Sequence, residues 1–145
     1  MKIVPFLPEY SSAARSFVID VLSGEGFEYD PLKDSDLDDI SGNYYGKGGA
    51  FFLCLSDTGI VGTSAVKYLN PDVCEIKRLY VRKDYRGRGI GSDLFQKAME
   101  YAEENFTRIK LKTDSSLKKA VSIYLKSGFS IVEEENRTVY FEKSL

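Results

Sequence analysis

The chain has 145 residues, 20 basic and 22 acidic side chains, a formal net charge of −2, two cysteines and no histidine. The length fits a single domain over 1–145 with a core of its own, and the missing histidine removes the commonest general base and metal ligand, which excludes a Ser-His-Asp hydrolase. No run of about eighteen apolar residues and no charged-then-apolar leader is present, so a soluble cytoplasmic protein without a membrane partner is expected.

Residues 1–7 read as a short edge strand, because Pro5 cannot donate to a ladder. Pro8 opens a helix over 9–22, where Ala13, Phe17, Val18 and Val21 recur at helical spacing and Gly24 is a stop. An irregular acidic link follows. It holds at most a short helix over 36–40, since Gly42, Gly46, Gly48 and Gly49 break anything longer. Apolar runs over 50–55 and 60–68, joined by Ser56-Asp57-Thr58-Gly59, predict a hairpin, and 73–81 adds a third strand to make an antiparallel meander. Ile90, Leu94, Phe95, Ala98, Tyr101 and Ala102 then trace one face of a helix. Residues 108–113 alternate as a strand, reached by a right-handed crossover and parallel to its neighbour. Ser116 is positioned to cap a helix that carries Leu117, Ala120, Val121, Tyr124 and Leu125 on one face and stops at Gly128. Residues 129–133 and 138–142 close the chain as a hairpin. The fold class predicted is α/β (α+β), one domain with a mixed, largely antiparallel central sheet flanked by helices.

Between the third strand and its helix stands Arg86-Gly87-Arg88-Gly89-Ile90-Gly91-Ser92. Glycines let a backbone fold tightly and aim several N–H groups at one point, the helix N-terminus adds its positive end, and two guanidinium groups suit phosphate geometry. Spacing narrows the ligand. A dinucleotide fingerprint needs a third glycine where Ser92 stands, and a Walker loop needs a Gly-Lys-Ser/Thr that is absent.

What fits is Arg-x-x-Gly-x-Gly in Arg86, Gly89 and Gly91, where the chain resembles the GNAT superfamily of acyl-CoA-dependent N-acyltransferases. Ala120, Tyr124, Gly128 and Phe129 resemble that family's second signature, and the opening KIVPFLPEY resembles its first strand and turn. The likeness is close over 75–129 and least specific over 24–48. It implies the family's architecture and an N-acetyltransferase moving an acetyl group from acetyl-CoA to a primary amine, of a small molecule or amino acid, by direct transfer in a ternary complex. A non-catalytic acyl-CoA-binding module that senses the cofactor is the alternative, since fold and cofactor site do not guarantee chemistry.

By the same resemblance, coenzyme A pyrophosphate rests on Arg86, Gly87, Arg88, Gly89, Ile90, Gly91 and Ser92. The pantetheine arm runs along the backbone of Leu79, Tyr80 and Val81, with an N–H near Leu79 holding the oxyanion. Glu75 takes the amine proton through water, and Tyr124 donates one to the departing thiolate. Read from the residues alone, Leu79 and Val81 are core strand positions, Glu75 is a surface residue at a strand start, and Tyr124 is a ring on an apolar helix face. Both readings stand at this point. Many family members carry Asn seven residues before this Tyr, where it contacts the coenzyme. Here the position is Leu117, so that contact is not expected.

Charge is unevenly spread. From Glu75 to Gly91 six basic residues (Lys77, Arg78, Arg82, Lys83, Arg86, Arg88) face Glu75 and Asp84, which suits one multiply charged cofactor better than a nucleic-acid partner. From Asp20 to Asp39 eight acidic residues face only Lys33, either a field attracting a cationic amine or a solvated loop. Cys54 and Cys74 lack metal-ligand spacing and sit in apolar surroundings, so buried thiols are expected, with no metal and no covalent acyl-enzyme. The acceptor is expected between residues 22–48 and the turn over 134–137, where Tyr29, Tyr44 and Tyr45 line a pocket or simply pack. A homodimer is compatible with the sequence.

Overall fold

Runs of branched and aromatic residues build seven strands: β1 (Lys2–Pro5), β2 (Ala50–Ser56), β3 (Gly59–Asn70), β4 (Val73–Val81), β5 (Arg108–Asp114), β6 (Ser130–Glu135) and β7 (Thr138–Ser144). The helices are α1 (Ser11–Gly24), α2 (Ile40–Asn43), α3 (Ile90–Asn105) and α4 (Lys118–Lys126). The computed structural model describes residues 1–145 and joins the strands into one sheet, ordered β1-β2-β3-β4-β5-β7-β6. Only β4 and β5 run parallel, on either side of α3 in sequence, as a crossover requires.

Strand alternation assigns the two faces. Val66, Cys74, Ile76, Ile109, Leu111, Val139 and Phe141 pack with Phe95, Ala98, Met99 and Ala102 of α3. Phe51, Leu53 and Ala65 point the other way, against Ala14, Phe17 and Val18 of α1 and Ile40 of α2. The first helix buries Ala14 rather than Ala13, which is exposed. A 3₁₀ turn over Pro8–Tyr10 leads into it, with Pro8 at the first position, where a missing N–H costs no hydrogen bond.

One expectation is corrected, and two points left open are decided. Ser116 does not cap α4; Leu117 occupies that position with no side-chain cap, and Asp114 instead accepts the Ser116 N–H at 2.8 Å in an Asx turn. Of the two readings of Tyr44 the packing one holds: it is 1% exposed and stacked edge-on to Phe51. The closing hairpin, whose order in the sheet the sequence left open, joins with its last strand first. β7 sits inside, its Val139 and Phe141 filling the core, and β6 takes the edge, where Glu133, Glu134 and Glu135 disfavour pairing with another chain. No helix is long and apolar enough to cross a membrane.

Candidate cofactor and acyl-transfer site

The β4–β5 ladder is short. Val73 pairs with Arg108, Cys74 with Ile109 and Glu75 with Lys110, and there the pairing ends. From Ile76 to Val81 the edge of β4 facing β5 has no strand partner, so the sheet opens into a wedge. At the same level β4 is bulged: the register against β3 shifts between Thr63 and Ala65, and Arg78 takes φ 54°, a left-handed conformation rare for a side chain of this size. Thr63 inside the sheet donates to the Arg78 carbonyl at 2.7 Å, which ties the bulge down.

The Arg78 side chain explains why the bulge persists. Its Nη2 donates to Asp36 at 2.7 Å, to Asp34 at 3.0 Å and to the Lys33 carbonyl at 3.2 Å, and its Nε donates to Asp36 at 3.1 Å. Tyr44 donates its hydroxyl to the same Asp36 carboxylate. Burial pushes the Asp36 carboxyl up, but hydrogen bonds from Arg78 and Tyr44, with the Arg78 charge, outweigh it and hold the group below the ordinary carboxylate range. Sequence reasoning counted Arg78 with the cofactor and the acidic link as either a field or a solvated loop. In the structure Asp34 and Asp36 neutralise Arg78, Asp38 is taken by Arg15 and Tyr29, and Asp39 accepts the Gly42 N–H. Of the two opposing charge runs, Arg78, Asp34 and Asp36 form a buried cluster, while Asp38 and Asp39 make their contacts at the surface.

At the C-terminal end of β4 the turn has the donor geometry that its glycines require. Gly87 has φ 80° and Gly89 φ 83°, and nothing lies within 4 Å of a Cβ built at either, so the demand is conformational rather than steric. None of the six backbone N–H groups from Gly87 to Ser92 finds a partner in the chain; Asp93 is the first to bond, to the Gly89 carbonyl at 3.0 Å. A run of free N–H groups ending at the start of a 16-residue helix fits an anionic phosphate.

The arginines are less available than their number suggested. Arg82 is forked onto Asp84 and stacks on Tyr85, Arg88 stacks on the same ring from 4.7 Å and donates to the Asp84 carbonyl, and Arg86 donates Nε to the Val81 carbonyl at 3.0 Å. Arg86 and Arg88 keep the rest of their guanidinium groups at the surface, with a loose Arg86–Glu25 contact at 3.7 Å. The Val81 carbonyl, expected to face a pantetheine arm, is therefore already used. Side chains of Leu79 and Val81 pack on the α3 face, in agreement with the core-strand reading of those two, and Tyr80 packs on the α1 face, while the edge of their backbone stays open.

Tyr124 and Glu75 approach the wedge from opposite faces. The Tyr124 ring is wedged between Phe95, Phe129 and Phe141 at centroid distances of 5.6, 6.3 and 5.5 Å, as an apolar helix face predicts. Its hydroxyl makes no hydrogen bond in the chain, yet it is not sealed from solvent. Burial raises its pKa above the usual tyrosine value, so it keeps its proton at neutral pH. Glu75 leaves β4 on the other face, between the core positions Cys74 and Ile76, at the last paired rung before the strands part. It is half-buried and makes no ion pair. Both cysteines are free and buried, and burial pushes the Cys74 thiol up to about 12, which suits neither a nucleophile nor a disulfide.

Comparison with known proteins agrees with this geometry. The model of the acetyltransferase (GNAT) family matches residues 16–129. An uncharacterised N-acetyltransferase of Escherichia coli (strain K12), YjgM, is 31% identical over 106 residues, which is 70% of this chain and 64% of that protein, so the shared stretch is under two thirds of the relative's own length. A GNAT-family acetyltransferase from Staphylococcus aureus Mu50 superposes with a TM-score of 0.84 over 99% of this chain and 98% of its own, at 25% identity. The PaiA N-acetyltransferase of Thermoplasma acidophilum, solved in complex with coenzyme A, shares the fold with a TM-score of 0.73 over both full chains at 16% identity. The bulged and splayed β4, its glycine turn and a match over most of the sequence lead to one conclusion: this chain belongs to the acetyltransferase (GNAT) family.

Proposed function

We propose that the chain transfers an acetyl group from acetyl-CoA to the primary amine of a small molecule or amino acid, both substrates being bound at once. The observation that carries this reading is the unpartnered edge of β4 leading directly into six free N–H groups. An extended ligand with an amide-bearing arm and a pyrophosphate end could use both together, much as a peptide adds to a sheet edge. A neighbour of the same fold solved with coenzyme A supports the cofactor.

In this mechanism Glu75 accepts the proton of the acceptor ammonium through water, since an amine titrating near about 10 is almost wholly charged at pH 7. The freed nitrogen attacks the thioester carbonyl. A C–N bond forms, and a backbone N–H near Leu79 holds the oxyanion as it develops. The nitrogen, now positively charged, releases its second proton to water as the C–S bond breaks, and Tyr124, with its proton retained and its hydroxyl uncommitted, donates to the thiolate and is reprotonated from solvent. Glu75 and Tyr124 on opposite faces give each proton its own route.

The test is calorimetric titration with coenzyme A followed by thiol release from acetyl-CoA across a panel of amines, for the parent and Glu75→Gln. Micromolar binding with amine-dependent release, reduced at least tenfold by Glu75→Gln, is expected. Binding with no release for any amine would leave a cofactor-sensing module, and no binding would remove the reading altogether.

A further inference from the structure

Beyond Glu75, the face of the wedge opposite α3 is cationic. Glu75 and Lys77 project there from β4, and Lys110 and Lys112 from β5, alternating with Cys74, Ile76, Ile109 and Leu111 in the core. Continuing the Glu75–Lys110 rung by two residues sets Lys77 across the opening from Lys112. Lys110 and Arg108 both reach Glu142, at 3.8 and 3.9 Å. Lys77 and Lys112 form no ion pair, although Lys77 is half-buried.

The lack of a partner for Lys77 is built in. Burial lowers its pKa; the charge of Glu75, two residues away on the same face, and that of Asp36, which pairs with Arg78, offset only part of this, and the charges of Arg78 and Lys67 act with the burial. A partly desolvated ammonium without a counter-ion is costly unless an anion completes it. No acidic side chain of this chain does so. A polycationic acceptor would have to bring its remaining charges against Lys77 and Lys112, which disfavours it. An acceptor with its own carboxylate would complete Lys77, and the same cations would favour the neutral form of its amine.

We infer that Lys77, with Lys112 across the opening, binds an acidic group of the acceptor, so that the amine acetylated belongs to a carboxylate-bearing molecule such as an amino acid. Lys77 is thereby a specificity-determining residue. This rests on the acetyl-transfer reading above.

The experiment measures thiol release from acetyl-CoA with free amino acids, the corresponding amino-acid amides and spermidine, for the parent, Lys77→Gln, Lys77→Arg and Lys112→Gln, with coenzyme A affinity measured in parallel. At least one amino acid is expected to exceed its amide tenfold or more in kcat/KM. Lys77→Gln should raise KM for that amino acid about tenfold and collapse its preference over the amide, Lys77→Arg should restore most of it, and Lys112→Gln should do part of what Lys77→Gln does. Affinity for coenzyme A should be the same in all four proteins. Amides or spermidine used as well as amino acids, or a preference unchanged in Lys77→Gln, would overturn the inference while leaving acetyl transfer standing. Absence of release with every acceptor would overturn both.

Discussion

Three aromatic rings hold Tyr124 in place while its hydroxyl bonds to nothing, so Tyr124→Phe separates packing from chemistry. The ring contacts survive and no hydrogen bond is lost, so stability should change by less than about 0.5 kcal/mol. If the hydroxyl protonates the leaving thiolate, kcat should fall about 100-fold with coenzyme A affinity unchanged. Urea unfolding and steady-state kinetics check both halves, and an unaltered kcat would return Tyr124 to a purely packing role. Arg78 gives the opposite pattern. Its side chain is 5% exposed and serves two carboxylates, so Arg78→Met strands Asp34 and Asp36 and should cost about 3–5 kcal/mol. The Asp36 pKa lies below its unfolded value. Its contribution is thus fully present above about pH 4 and lost as pH falls through the folded pKa. Unfolding free energies measured from pH 7 to pH 2 should drop in that acid range for the parent and drop less for Asp36→Asn.

At the scale of elements, what was legible in the sequence was whatever carries its signal locally. The six apolar positions traced for α3 lie on its core side, with Tyr101 only half-buried, and the strands over 50–81 and the turn at 86–91 are where periodicity and glycine spacing set them. The opening of β4 from β5 was not legible, because it depends on which residues of β5 pair and which do not. Neither was the Arg78 cluster: its acidic partners lie more than forty residues upstream, and in one dimension both looked like surface charge. Lys77 was assigned to the cofactor side for the same reason, since a count along the chain does not know about strand faces. The β6–β7 turn was placed at 134–137 but its type was hidden. Asn136 and Arg137 both have positive φ, 49° and 68°, as a two-residue turn of the inverted kind demands, and arginine tolerates this poorly. Arg137→Gly should therefore stabilise the fold by about 0.5–1 kcal/mol, because the Arg137–Asp114 contact it removes is long, exposed and worth little. A shift of the urea midpoint upward checks it; a downward shift would show that the arginine contact matters more than the backbone strain.

Across the whole molecule, the sheet is divided between a closed half and an open one. Most of β1 to β3 is covered on both faces by α1, α2 and α3, whereas the face opposite α3 carries charged and polar side chains along β4 before its bulge and along β5 and β7, and the backbone donors at Gly87–Ser92 have no partner in the chain. Amide hydrogen exchange should register this division. In the free chain the amides of Gly87 to Ser92 should exchange freely, having no acceptor, while those of Leu94 to Ala102 inside α3 should be protected. Saturating coenzyme A should slow the first group at least tenfold and also slow amides of β4 between Leu79 and Val81, where the edge lacks a strand. The edge strand β6 serves as an internal control. Binding at the turn alone leaves its exchange by local fraying unaltered, whereas a ligand acting only by stabilising the folded state protects every amide that exchanges through global unfolding. If the exposed guanidinium groups of Arg86 and Arg88 hold a pyrophosphate as proposed, coenzyme A affinity should weaken several-fold between 0.05 and 0.5 M salt, roughly the range over which exposed charges are screened. Protection that appears elsewhere but not at Gly87–Ser92 would remove the glycine turn as the donor site.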